Sequence, residues 1–271
     1  MQNNKPLISI ILPLFNAQKY IKDCIKSVID QTYSNWELII VDDASTDGSL
    51  NIVRRLMLKD SRIKLIKCKE NFGGPAKPRN IGIKKSKGLY VAFLDNDDIW
   101  LPEKLKKQME IFFKKKEVDI IYSLAYTIDV NGKRIGSHNN QKIFNVLKYF
   151  LSKTNILFIS NFIVTPSVIM KKNADIEFRE DIHLISFEDW TFWIDNCLKK
   201  KKFYLLNEKL INYRIRPDSL IGRGGDKPLK KTYYMYSKYL NEMKISISFF
   251  ILLFIKNTIN LFVKKIYQVF K

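Results

Sequence analysis

Two hydrophobic rhythms alternate along the chain. Residues Leu7 to Leu12 form an unbroken, isoleucine-rich apolar run that ends at Pro13, as expected of a strand covered on both faces in a parallel sheet. Tyr20, Ile21, Cys24, Ile25, Val28 and Ile29 then recur at three- and four-residue spacing, which predicts a helix, and Trp36 to Val41 is a second apolar run that stops at Asp42-Asp43. The alternation continues with a helix from Ser49 to Leu58, a strand from Ile63 to Ile66, a helix near Pro78 to Lys85, a strand from Tyr90 to Leu94 and a helix after Pro102. Repeated βαβ units predict an α/β fold, a mostly parallel sheet with helices on both faces. From about Asp119 to Met170 the pattern weakens. It predicts a strand from Asp119 to Tyr126 and a hairpin at Val130-Asn131-Gly132-Lys133, and the rest of that stretch carries no readable element or function. Glu188-Asp189-Trp190 then leads into Phe192, Trp193, Asp195 and Leu198, a helical pattern with its acids in the first turn, where the macrodipole favours negative charge. One or two further helices follow from Lys227.

Open sheets of this kind bind ligands beyond the carboxyl ends of their strands. The polar residues gather there: Pro13-Leu14-Phe15-Asn16 after the first strand, Asp42 to Asp47 after the second, and Asp95-Asn96-Asp97-Asp98 after the fourth. Hard carboxylate oxygens at a strand end suit Mg²⁺ or Mn²⁺ shared with substrate phosphates. A single acidic cluster is equally well an Asx-rich turn. Two clusters at adjacent strand ends repel one another without a cation or hydrogen-bond donors, so ligand binding is the economical explanation.

Composition narrows the function classes. Of 271 residues, 46% are hydrophobic and 27% charged, which excludes disordered, collagen-like and low-complexity chains. Lys and Arg number 47 against 27 Asp and Glu, a surplus that suits phosphates, nucleic acid or an acidic bilayer, and more than half of it lies beyond residue 200. Cys24, Cys68 and Cys197 are far apart and odd in number, so neither a disulfide framework nor a zinc site is expected. The apolar run near the N-terminus is too short for a signal peptide, and a cytoplasmic setting is expected.

Five pieces in order carry a family resemblance: Ile8 to Asn16, Ser27 to Tyr33, Glu37 to Gly48, Arg79-Asn80-Ile81-Gly82, and Phe93 to Asp98. On them the chain resembles the family-2 inverting glycosyltransferases, which have the GT-A nucleotide-sugar-binding fold. The likeness is strong over about residues 7–112 and looser at Glu188-Asp189 and at Tyr213 to Leu220. It implies a GT-A domain over residues 1–225, with a nucleotide-sugar half to about 112 and an acceptor half beyond it, followed by a basic amphipathic helical tail over 226–271. Pro13, Phe15, Asp42 and Asp43 are then expected in the nucleoside pocket, a carboxylate accepting the N3 hydrogen of uracil, which favours a UDP-sugar donor. Asp95-Asn96-Asp97 matches the DxD element, with Asp95 near ribose and diphosphate and Asp97 the ligand of Mn²⁺ or Mg²⁺. Arg79 matches a basic residue near the donor. Asp189 is the expected general base, with Glu188 and Trp190 beside it as acceptor-side or supporting residues; one base without a protein nucleophile implies inversion by single displacement. Arg214 and Arg216 fall in a segment expected to close over the diphosphate. Arg216 stands where the family usually has His; it is no metal ligand, but its fork of donors can pair with phosphate oxygens.

The tail interleaves Tyr233, Tyr234, Tyr236 and Tyr239 with Lys230, Lys231 and Lys238 before the apolar stretch Ile245 to Ile255. That stretch is shorter than the roughly 20 residues a bilayer span needs. It predicts a helix lying in an anionic membrane interface, on the inner face of the plasma membrane. The competing reading packs it on the enzyme's own core or on a second subunit, which leaves room for a homo-oligomer. The expected acceptor is a lipid-linked or surface glycan such as capsule or lipopolysaccharide. A nucleic-acid partner is not expected, because two acidic rims would repel a phosphate backbone. A sugar-nucleotide-forming nucleotidyltransferase should have a glycine-rich phosphate loop after the first strand, and Pro13 to Asn16 has no glycine.

Overall fold

The computed structural model describes residues 5–138, 153–217 and 227–269. The predicted βαβ series is present. Strands β1 (Ile8–Leu14), β2 (Trp36–Asp42), β3 (Ile63–Lys67) and β4 (Tyr90–Phe93) alternate with helices α1 (Ile21–Ile29), α2 (Ser49–Met57) and α3 (Ala76–Lys85). β1 and β2 are buried at every residue, which is why they read as continuous apolar runs. β1 pairs in parallel with β2 and β4, and β2 with β3. Leu14 lies opposite Asp42, so the loops leaving β1 and β2 emerge side by side.

The second half departs from a purely parallel sheet. After β5 (Ile99–Trp100) and α4 (Lys104–Lys114), a long β6 (Ile120–Ile128) forms the expected hairpin with β7 (Arg134–His138). Gly132, at φ 87°, takes the left-handed turn position that glycine occupies without steric cost. Helix α5 (Lys153–Ile159) precedes a short β8 (Ile169–Lys171), then α6 (Glu188–Leu198) and β9 (Phe203–Arg214). Among the described residues one sheet runs β3-β2-β1-β4-β8-β6-β9-β5, with β7 on β6. β8 is antiparallel to both neighbours, whereas β6 and β9 are parallel.

Alternation along each strand divides the core between the two faces of the sheet. Ile11, Ile39, Val41, Val91 and Phe93 pack on one face with α5 and α6. Ile10, Leu12, Leu38, Ile40, Ala92 and Leu94 pack on the other with α1 and α4. The last two helices, α7 (Lys227–Asn241) and α8 (Ile247–Val269), join the first of these cores through Met235, Tyr236, Tyr239 and Leu253, all almost fully buried. The Tyr236 hydroxyl donates to the Phe158 carbonyl at 2.7 Å, and Lys256 Nζ donates to the Ile159 carbonyl at 2.7 Å. The outward side of α8 keeps Ile247, Ile251, Leu252, Phe254 and Ile255 exposed. Among the described residues no helix is long and apolar enough to cross a membrane.

Candidate active site

The loops after β1 and β2 are laced together beyond the carboxyl ends of these strands. The Thr46 amide donates to Asn16 Oδ1 at 2.8 Å, the Asn16 amide donates to Ser45 Oγ at 3.1 Å, and the Gln18 amide donates to Asp47 Oδ2 at 2.9 Å. Ala44 sits at φ 58°, a strained conformation for alanine, and the turn it makes returns the Ser45 amide to Asp42 Oδ1 at 3.2 Å. Asp42 is fully buried, and its Oδ2 has no hydrogen-bond partner. Asp43 is held differently: Oδ1 accepts from the Phe72 amide and Oδ2 from Asn71 Nδ2, both at 3.0 Å. Burial pushes its carboxyl above the usual range, and neighbouring Asp42 adds to the effect. Pro13 is buried beside Val41 in the β1–β2 pair, and Phe15 projects from the rim, 45% exposed. Asn71 and Phe72 belong to none of the motifs legible in the sequence; the one signal beside them is Gly73-Gly74, which marks a loop.

The end of β4 is an ion-pair junction. Asp95 Oδ1 meets Arg79 Nη2 at 2.7 Å, and Arg79 Nη1 meets Glu188 Oε1 at 3.0 Å. Arg79 is almost fully buried. Burial by itself opposes its charge, and Asp95 and Glu188 restore it, so the guanidinium stays charged. Its Nε and Glu188 Oε2 have no protein partner. Asn96 stands half-buried on the rim. Asp97 Oδ2 forms an ion pair with Arg216 Nε at 2.7 Å. Asp98 turns inward: its Oδ1 accepts from the Arg214 amide at 2.7 Å, and burial, reinforced by Asp97 and Asp95, raises its carboxyl well above the usual range.

The Arg214 guanidinium, expected near the donor, is held by backbone carbonyls. Its Nε donates to the Asp97 carbonyl and its Nη1 to the Asp129 carbonyl, both at 2.8 Å, so the guanidinium braces the acidic turn from beneath. Tyr20 lies under both arginines, its ring centroid 4.6 Å from the Arg214 guanidinium carbon and 5.4 Å from that of Arg216. The remaining residues of the expected closing segment, Asp218, Ser219 and Leu220, lie outside the described residues.

Asp189 opens α6 across the cleft, in the predicted first turn. Its Oδ2 accepts from Thr165 Oγ1 at 3.0 Å and from Asn161 Nδ2 at 3.4 Å, and its Oδ1 accepts from the Trp190 amide at 2.6 Å. Desolvation, then the charge of Glu188, lifts its carboxyl to about 7, against the opposing pull of Arg79. A carboxyl poised there can exchange a proton near neutrality. Trp190 is anchored through Nε1 to the Leu157 carbonyl and packs on Phe187, with ring centroids 5.3 Å apart. Beside Glu188 a cleft of about 220 Å³ opens between Phe72, Pro75, Lys77, Asp181 and Ile185.

Among the described residues no three His, Cys, Asp or Glu side chains converge to cage a cation. A cation shared with a diphosphate needs only one or two protein carboxylates. Asp97, with Asp95 beside it, meets that requirement, and Arg216 offsets part of the same negative charge. The residues present therefore fit a metal held jointly with substrate and do not fit a closed protein cage.

Comparison with known proteins identifies the family. The model of the family described as Glycosyl transferase family 2 matches residues 9–176. The chain is 33% identical over 236 residues to the protein named as a teichuronic acid biosynthesis glycosyltransferase, TuaG, of Bacillus subtilis, covering 87% of this chain and 89% of that one. It is 42% identical over 130 residues to WfgD of Escherichia coli, a UDP-Glc:alpha-D-GlcNAc-diphosphoundecaprenol beta-1,3-glucosyltransferase, over 48% of this chain and 49% of the relative. The crystal structure of S. aureus TarS 1-349 with UDP-GlcNAc superposes with a TM-score of 0.67 at 25% identity, covering 86% of this chain and 66% of that one.

Proposed function

The chain belongs to glycosyl transferase family 2 and is a glycosyltransferase of the GT-A fold; from that premise we propose that it moves a sugar from a UDP-sugar to an acceptor hydroxyl of a lipid-linked or surface glycan, with inversion. The observation that carries this reading is a half-buried carboxylate, Asp189, poised near neutrality on the far side of the Arg79 bridge from the acidic end of β4. Asp189 takes the proton of the acceptor hydroxyl as that oxygen bonds to the anomeric carbon, and the bond from that carbon to the diphosphate oxygen breaks on the opposite face. A single displacement of this kind inverts the anomeric centre. Arg216 and Asp97 flank the leaving diphosphate, where the guanidinium offsets the charge that grows on its oxygens. When bound, Mn²⁺ or Mg²⁺ would be held by Asp97 and would supply Lewis-acid stabilisation of the same charge. Asp42 Oδ2, a buried acceptor without a donor, supports recognition of uracil N3–H: an unpaired buried acceptor costs about 1–3 kcal/mol, which a ligand donor recovers.

A thermal-shift titration with UDP, GDP, CDP and dTDP, with and without Mn²⁺, tests the donor class. At about 100 times its Kd, UDP should add about 2.7 kcal/mol of stability, a rise of roughly 5 °C or more for a chain of this size. The rise should need Mn²⁺ and should be lost in Asp97→Asn. A shift with another nucleotide would overturn the UDP assignment, and no shift with any would overturn donor binding itself.

The same reading locates the enzyme at the inner, anionic face of the plasma membrane, through the outward side of α8. Its support is the row of exposed aliphatic and aromatic residues on a strongly basic chain. Because Leu253 and Lys256 fasten α8 to the core, the surface is best tested by substitution and not by truncation. Ile251→Glu, Leu252→Glu and Ile255→Glu together remove about 3 kcal/mol of apolar transfer energy if each side chain is half immersed. Binding to phosphatidylglycerol vesicles should fall roughly 100-fold in a sedimentation assay. Unchanged binding would refute the membrane assignment.

A further inference from the structure

The stretch between Asn161 and Ser167 carries no sequence signal, yet it touches the proposed base. Residues Thr165–Ser167 form a single 3₁₀ turn, and Thr165 is 3% exposed with its hydroxyl donating to Asp189 Oδ2. This turn is fastened from several directions by buried donors. Trp100 Nε1 donates to the Pro166 carbonyl at 2.8 Å, and Gln108 Nε2 donates to the Ser167 carbonyl at 2.8 Å. The Ser123 amide of β6 donates to Ser167 Oγ at 3.3 Å. Gln108 is itself oriented by Lys104, whose fully buried Nζ donates to Gln108 Oε1 at 2.9 Å and lies 3.9 Å from the Trp100 ring centroid. Burial without an anionic partner lowers the proton affinity of Lys104 well below the usual lysine range; its Nζ–H donates to the amide oxygen, and the amide NH₂ is left for the turn. Three elements, β5, α4 and β6, thus hold one threonine hydroxyl in place.

We propose that Thr165 is the positioning residue for Asp189, its hydroxyl pinning one carboxylate oxygen and thereby fixing the plane in which the other meets the acceptor. The assignment rests on Asp189 being the base. The groups facing that carboxylate are Glu188 on its own helix, Asp95 past β4, Arg79 on α3 and the phenol of Tyr213 on β9. Glu188 and Asp95 favour the protonated form and Arg79 the charged form. The Thr165 hydroxyl is a donor to the charged form, so losing it raises the proton affinity of the base.

The experiment is the pH profile of kcat/KM for wild type, Thr165→Val, Thr165→Ser and Asp189→Asn, with UDP affinity measured alongside. The valine variant should move the acidic limb up by about one pH unit and lower turnover near pH 6.5 by about tenfold, leaving the donor KM within about twofold. Serine, which keeps the hydroxyl, should restore the wild-type limb. A merely structural role would reduce the folded fraction without moving the limb; if valine does not fold, Thr165→Ala carries the same readout. An unmoved limb in folded Thr165→Val or Thr165→Ala, with Asp189→Asn inactive, overturns the positioning role and leaves the base standing. An active Asp189→Asn overturns both.

Discussion

Asp189→Asn should lower kcat by about 10²- to 10⁴-fold, the contribution of a general base, while UDP binds within about twofold of wild type. The amide keeps the shape of the carboxylate and can still accept from Thr165, so the loss isolates proton transfer from packing. The proposed nucleoside end of the site is built on different elements, around Asp42 and Asp43 at the end of β2, and contains no bond to Asp189 among the described residues. Wild type carries a second signature. The proposed base works only when deprotonated, and burial together with Glu188 lifts its carboxyl to about 7. Turnover should therefore be low near pH 5.5, rise through about pH 7 and level off above about pH 8, whereas residual activity of the asparagine variant should lack that rise. Product formation measured across this range, with nucleotide affinity on the same samples, checks both. Substantial turnover in the variant would remove Asp189 from the mechanism.

Arg79→Met should be the most destabilising of the changes considered. The guanidinium is almost wholly enclosed, and removing it leaves the 7%-exposed carboxylate of Glu188 facing Asp95 without a cation between them. Breaking a buried pair from one side costs about 3–5 kcal/mol, and the partial exposure of Asp95, 29%, favours the lower end. A fall of roughly 6 °C or more in Tm is expected. The double variant Arg79→Met with Glu188→Met should recover part of that loss, because an apolar pair of similar volume leaves one fewer orphaned charge. Urea unfolding of the two variants decides the point: a double variant less stable than the single would show that the bridge is not what holds this junction. Arg79 also favours the charged form of Asp189, so the single variant should need a higher pH for half-maximal turnover.

How much of this was legible depended on whether a feature is local. β1 and β2 announced themselves because every residue in them is buried, and Asp42, Asp43, Asp95 and Asp97 stood out because they interrupt those runs at a strand end. β9 left no such trace: after buried Phe203, half-buried and exposed residues fill the rest of its first half, and its register with β6 shifts near Leu124. The order of strands was hidden for the same reason. Nothing within Ile169–Lys171 says that it will lie antiparallel between β4 and β6 and make the sheet mixed. The family motif marks Arg214 as a donor-side residue, but its bonds to the carbonyls of Asp97 and Asp129 depend on the pairing of β9 with β5 and β6 and are not legible in the sequence. Thr165 lies 24 residues from Asp189 and donates from a turn with no periodicity, so only folding reveals that the two meet.

The bridge from Asp95 through Arg79 to Glu188 has a consequence for building hybrid enzymes. It joins the part of the chain proposed to bind the nucleotide to the helix that carries the proposed base, so the two parts are coupled by charge as well as by the sheet. A designer who transplants an acceptor-recognising segment from another family member inherits an obligation: the incoming helix must supply a carboxylate at the position of Glu188, or Arg79 must be exchanged with it. Modularity in this fold ends at that arginine.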